Sequence, residues 1–183
     1  MTADVLRPGS DVNGGCRRAM AMLVTILAIL LLPGPNDAQE APRRVAVFDV
    51  ELWDTSGEGE RPEQAARLAM LGDVLRTRLA ESSGYVLVDL ARVRPEIAAS
   101  LRLFRRGGCQ LELARKAGAR YALNVFVRKM STLIQEIALI LADVERDEVV
   151  AFYSVSIRNN SDDAWRRGLL FLLEHRLPES DAF

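Results

Sequence analysis

Val45-Ala46-Val47-Phe48-Asp49-Val50-Glu51-Leu52 opens the segment that decides the fold, and Tyr85-Val86-Leu87-Val88-Asp89 closes it. Both are rich in β-branched and aromatic residues, and the apolar half of the first is continuous, as in a strand covered on both faces. Between them the polar loop Thr55-Ser56-Gly57-Glu58-Gly59-Glu60-Arg61 leads to Pro62, which suits the first turn of a helix. The helix is predicted to run to about Ser82: Leu68, Leu71, Val74, Leu75 and Leu79 recur at three- and four-residue steps, with Arg67, Arg76 and Arg78 on or beside the other face. Ser83-Gly84 ends it. Strand, helix and strand in this order make a right-handed crossover between parallel neighbours, and the α/β class rests on that unit.

Downstream, two shorter helices are expected at about 96–104 and 110–117, the second capped by Gly118. Three strands follow over 121–129, 133–143 and 149–157; their connections are of hairpin length, which requires antiparallel neighbours. Asn159-Asn160-Ser161-Asp162-Asp163 supplies an N-cap and an acidic first turn for a last helix, with Trp165, Leu169, Leu172, Leu173 and Leu177 on its apolar side and Pro178 as the stop. The expectation is one three-layer α/β domain over residues 44–178, with a mixed five-stranded sheet and the order β-α-β-α-α-β-β-β-α. Residues 39–43 read as a linker and 179–183 as a tail.

Upstream, Arg17-Arg18, the uncharged run from Ala19 to Leu32 and then Pro33-Gly34-Pro35 have the layout of a secretory signal peptide. The run has 14 residues, short of the roughly 20 that span a bilayer as a stable helix. Cleavage is expected after Ala38, within a 38–41 window, because Asn36 stands where a small residue is usual. An uncleaved signal, anchoring the protein in the inner membrane, is the alternative. The residues beside Arg17-Arg18 lack the twin-arginine export pattern, and Cys16 precedes the apolar run, so it is not a lipidation site. Met20 and Met22 are alternative starts.

Removal of residues 1–38 leaves 145 of the 183, enough for one domain with its own core. The removed segment carries three arginines and three aspartates, so the net charge stays at −1. No excess of positive charge points to nucleic acid. Cys109 is the one cysteine left, so no intramolecular disulfide forms even in a compartment that permits one. Its place at the start of a helix, with no histidine or second cysteine nearby in sequence, reads as half-buried packing.

Val45 to Asp54, Gly118-Ala119-Arg120-Tyr121 entering a strand, Val127-Arg128-Lys129-Met130-Ser131 and Asn160-Ser161-Asp162-Asp163-Ala164-Trp165 resemble the domain-of-unknown-function family numbered thirty-two eighty. That is an uncharacterised family of predicted secreted proteobacterial proteins. The resemblance covers nearly all of 45–177 and implies no activity. A paired cysteine is frequent in that pattern near Cys109, where this chain has Gly107 and Gly108 before a single one. At fold level the element order also resembles curli-secretion CsgG-like lipoproteins and the amino-terminal domain of TolB-like proteins, which implies a domain used in envelope assemblies and protein contacts.

Ligands of open α/β sheets collect beyond the carboxyl ends of the parallel strands, where this chain carries Asp49, Glu51, Asp54 and Asp89. By two-residue alternation Asp49 and Glu51 share a strand face, and with Ser56 or loop carbonyls they are candidates for a hard, calcium-like cation. The plainer alternative has Asp49 capping a helix or pairing with an arginine, and Glu51 and Asp54 solvated. A glycosidase pair drawn from these acids lacks an aromatic sugar platform, since Trp53 and Trp165 are the only tryptophans. His175, the single histidine, sits in a last helical turn, where its charged form suits the helix dipole. A His/Cys zinc cluster is arithmetically excluded, no serine or cysteine has an identifiable base, and Gly57-Glu58-Gly59 is no phosphate loop. Trp53 and Glu58 at the edge of the loop are candidate partner contacts, with core-edge packing the alternative for Trp53.

The expectation is a non-enzymatic, exported domain, periplasmic or secreted, that needs no cofactor. Its expected partner is another envelope or periplasmic protein, and it touches membrane only through its signal before cleavage. A small-ligand or cation carrier using the four acids is the second reading, and a hydrolase dependent on Asp49 or Asp89 the third.

Overall fold

The apolar run at 45–52 is two strands and not one. In the computed structural model, which describes residues 42–59, 61–100, 103–105 and 108–177, β1 (Arg43–Val47) and β2 (Glu51–Asp54) both pair in parallel with β4 (Tyr121–Lys129). Val47 stands opposite Leu123 and Glu51 opposite Phe126, so residues 48–50 face two residues of β4. One residue is extra. This bulge inverts the side-chain alternation, since strand side chains change face at every step. Asp49 and Val50 lie on the α1 (Pro62–Glu81) side, while Glu51 and Trp53 lie on the other. The shared face expected for Asp49 and Glu51 does not form.

The sheet order is β3-β1-β4-β5-β6, with β3 at Tyr85–Leu87, β5 at Gln135–Asp143 and β6 at Glu148–Ile157. Parallel β3-β1-β4 and antiparallel β4-β5-β6 make it mixed, as expected; the sixth strand is the broken-off β2. β3 is shorter than read, although the Val88 N–H still bonds to the Val45 carbonyl at 2.9 Å.

Helix α1 and the last helix, α4 (Asp162–His175), cover one face. The face holds Val45, Val47, Leu123, Val125, Ile137 and Leu139 from the sheet against Leu71, Leu75, Trp165, Leu169 and Leu172 from the helices. Each of these fully buried aliphatic side chains contributes about 1.5–3 kcal/mol relative to exposure. α1 begins at Pro62, with the Arg61 N–H donating 2.7 Å to the side chain of buried Gln64. α4 begins at Ser161, whose hydroxyl accepts the Ala164 N–H. It lies close to the sheet because a Cβ on Gly168 would stand 3.2 Å from the Ile137 and Ile157 methyls.

The opposite core is thinner. Ala46, Ala122 and Ala142 stand side by side across β1, β4 and β5, and α3 (Cys109–Ala117) lays Leu111, Leu113 and fully buried Ala114 over that region. Three small side chains in a row let the helix come close. α3 ends at Gly118, φ 78°, whose carbonyl accepts the Arg44 Nε–H at 3.0 Å.

The helix expected at 96–104 is replaced by a 3-10 turn at Ala91–Val93, the short α2 (Arg94–Ala99) and a second turn at Leu103–Arg105. The Leu103 and Phe104 N–H groups donate to the Glu51 carboxylate, both at 3.1 Å, rather than to helical carbonyls. α4 closes at His175, before the expected Leu177, which is itself buried. The expected signal peptide and tail lie outside the described residues.

Candidate functional site: a lysine-latched corner

Along β4 the residues 121, 123, 125, 127 and 129 share the helix-covered face, so the strand's period carries Lys129 into the core. Its side chain is fully buried. A lone buried ammonium is costly, and this one is surrounded by oxygens. Nζ donates to the Gly59 carbonyl at 2.9 Å and lies 3.2 Å from Asp54 and 3.4 Å from Glu58.

Register supplies the first acid, because Asp54 is the β2 residue opposite Lys129. The loop supplies the second. Asp54 Oδ1 accepts the Ser56 N–H at 2.8 Å and its hydroxyl at 2.6 Å, which bends the chain back over the ammonium. The Lys129 carbonyl accepts both the N–H and the hydroxyl of Thr55, at 2.8 and 2.9 Å. Glu58 then crosses to the β4–β5 hairpin, accepting the hydroxyl and the N–H of Thr132. Buried Gln135 closes the hairpin by donating to the Ser131 and Thr132 carbonyls at 3.2 and 2.6 Å. Loop 55–59 and hairpin 130–134 are thus one hydrogen-bonded unit.

Burial opposes ionisation of Asp54, but the hydrogen bonds from Ser56 and then Lys129 outweigh it and hold the carboxyl below its ordinary range. For Glu58 the Thr132 hydroxyl is the main cause of a shift in the same direction. Both acids are therefore held as anions around the ammonium.

On the opposite face of the same corner Trp53, Phe104 and Phe126 form a cluster, Phe104 stacked on Phe126 with centroids 4.4 Å apart. The Arg128 guanidinium sits 5.7 Å from the Trp53 ring centre and bridges Glu136 at 2.7 Å. Trp53 is half-buried. At the tip, Leu133 is 64%, Ile134 48% and Met130 38% exposed.

The four expected carboxylates do not meet. Asp49 pairs with Arg76 and shares with Asp89 a recess of about 190 Å³ beyond the ends of β1 and β3. Asp89 accepts the Ala91 N–H at 2.9 Å. Glu51 is engaged on the other face of the sheet and Asp54 in the latch. Among the described residues no group of three or more His, Cys, Asp or Glu is placed to hold a metal ion, and no helix is long and apolar enough to cross a membrane. His175 lies against Phe171, centroids 5.0 Å apart, and Cys109 is the half-buried first residue of α3. Sequence reasoning missed Lys129, Thr132, Leu133 and Ile134. For Lys129 the signal was present: extending the alternation of the apolar positions 121–127 by one step puts it inside.

Against known proteins, the family DUF3280, described as a protein of unknown function (DUF2380), matches residues 43–177. No curated protein matches. Among solved structures, the LpoB C-terminal domain from Salmonella enterica is similar at 17% identity and a TM-score of 0.46, over 82% of this chain and 100% of that one. Lipoprotein GNA1162 from Neisseria meningitidis is similar at 16% identity and a TM-score of 0.49, over 75% and 100%. TolB from Acinetobacter baumannii is similar at 11% identity and a TM-score of 0.41, over 76% of this chain and 30% of that one.

Proposed function

The chain belongs to the DUF3280 family of proteins of unknown function, and from that premise we propose that it is a non-enzymatic accessory domain that binds another protein of the cell envelope through the latched corner. The observation that carries this reading is the pairing of a rigid base with an apolar tip. Lys129 and its oxygens fix the shape of loop 55–59 and hairpin 130–134, and that fixed shape presents Met130, Leu133 and Ile134 to solvent. Exposed aliphatic side chains on a preorganised support lose little conformational freedom on binding, which is what a partner-contact surface needs. Trp53 and Glu58 belong to the base: they hold the corner together and only border the contact. The envelope as location is supported by the export layout of residues 17–38.

A photo-crosslinking residue placed at Leu133 or Ile134 of the full chain, in its own host, tests the proposal. One discrete adduct is expected from both positions. It should vanish when Met130 and the neighbouring tip residue are changed to Asp, and a crosslinker at Val86, which is also exposed, should give none. Equal adducts from all three positions, or none from the tip, would overturn it.

A further inference from the structure

A different surface carries an inference beyond partner binding at the corner. Among the described residues the sheet ends on one side in β3, three residues long, and in β2, four residues long and paired only with β4; on the other side it ends in β6, ten residues long and hydrogen-bonded on one side only. Long edges are normally guarded by charge, proline or a very short strand. Between Glu148 and Arg158 β6 reads Val149-Val150-Ala151-Phe152-Tyr153-Ser154-Val155-Ser156-Ile157, with no charge, proline or glycine. Its single irregularity is a register shift opposite Leu141 and Ala142, which leaves 151–157 a regular strand. Phe152 and Val149 are more than half exposed, at 57% and 58%. On the helix-covered side a groove of about 660 Å³ runs between β6 and α4, lined by Val155, Ile157 and Gly168 and flanked by Phe171, 41% exposed. Apolar surface therefore lies on both sides of an unguarded edge.

We propose that β6 is the seam of a two-fold dimer, pairing antiparallel with β6 of a second copy centred on Tyr153. Three features select a second copy. Antiparallel self-pairing is closed, so it consumes the edge without starting a fibre. Centring on Tyr153, the midpoint of the uncharged run, places each Phe152 opposite the small Ser154 of the other copy and brings both on the same face. The same register brings the strand's basic end, Arg158, near the partner strand's Glu148, which is 54% exposed and held within its own copy by Arg146 at 3.4 Å. The apposed strand also lays its Tyr153 and Val155 face along the groove between β6 and α4.

Sedimentation equilibrium of the full chain, purified from its own host through a carboxyl-terminal tag, tests the dimer, with circular dichroism as the folding control. The wild type is expected to dimerise. Phe152→Lys with Ser154→Lys sets lysine against lysine across the seam and is expected to weaken the dimer at least tenfold, with the spectrum unchanged because both positions are exposed. Phe152→Lys with Ser154→Glu sets each lysine against a partner glutamate and is expected to restore it. Tyr153→Cys in a Cys16→Ser, Cys109→Ser background is expected to give an interchain disulfide, since directly opposed residues stand about 4.5–5.5 Å apart at Cα. A wild type that stays monomeric, a dimer indifferent to the two lysines, or a charge-paired variant that fails to recover would each overturn the proposal.

Discussion

Lys129→Met removes the ammonium and keeps most of the side chain's volume, so its effect isolates the charge at the centre of the corner. Asp54, 13% exposed, then faces apolar surroundings with only its two Ser56 hydrogen bonds, and Glu58, 37% exposed, keeps Thr132 and turns partly to water. Removing one partner of a buried pair destabilises by about 3–5 kcal/mol, and the residual hydrogen bonds and the exposure of Glu58 place this case near the lower bound, about 3 kcal/mol. For a chain of this size that lowers Tm by roughly 10 °C. Guanidinium unfolding of wild type, Lys129→Met, and Lys129→Met combined with Asp54→Asn measures it; the double variant is expected to recover part of the loss, because it removes the stranded charge and keeps an oxygen for the Ser56 hydrogen bonds. The pH dependence follows the same groups. Asp54 and Glu58 are held below their ordinary values of 3.8 and 4.5 in the folded protein. Their stabilisation is therefore complete above about pH 5 and is lost as pH falls through the folded values, and in Lys129→Met the acid limb of the stability curve should flatten. Stability of Lys129→Met within about 0.5 kcal/mol of wild type, the usual scatter of surface substitutions, would refute the argument that the ammonium is a paired core charge.

Glu51→Gln leaves one good acceptor for the two N–H groups of Leu103 and Phe104. A loss of about 1–2 kcal/mol is expected, with faster hydrogen exchange confined to those two amides. Ala122→Leu forces a large side chain into the alanine row beneath α3 and should cost about 1–3 kcal/mol by overpacking. Leu123→Ala, one residue on and on the other face, should cost about 2–5 kcal/mol by opening a cavity; thermal melts of the two separate the thin core from the thick one. Asp49→Asn breaks a solvent-exposed bridge to Arg76 and should change stability by less than about 1 kcal/mol in the same melts.

Local pattern carried the helices and the hairpin-linked strands. Leucines at three- and four-residue steps marked the buried side of α1, and the hairpin-length connections required the antiparallel half of the sheet. The corner was half legible. Trp53 and Glu58 are legible as loop-edge residues and Asp54 as a strand-end carboxylate, while nothing local to Lys129 marks its acidic partners. Its partners are 70 and more residues away in sequence, brought there by the parallel pairing of β2 with β4. The shared face of Asp49 and Glu51 does not form for a different reason: unbroken alternation across 48–50 predicts it, and a bulge has no mark in composition. The turn at Leu103–Arg105 likewise depends on a distant carboxylate, Glu51, which takes two N–H groups that a continuous helix would have used.

The one surplus residue at 48–50 acts as a parity bit for everything that follows it up to Asp54. Delete any one of the three and β2 re-enters the sheet turned over: Trp53 faces the leucines of α1, Asp54 points toward Phe126, and Lys129 is left in the core with neither register acid nor folded loop. Point substitutions of those side chains would each be survivable, yet a length change of a single codon would reassign all of them together. Among homologous chains the spacing between Val47 and Glu51 should therefore be held more tightly than the identity of the residues that fill it.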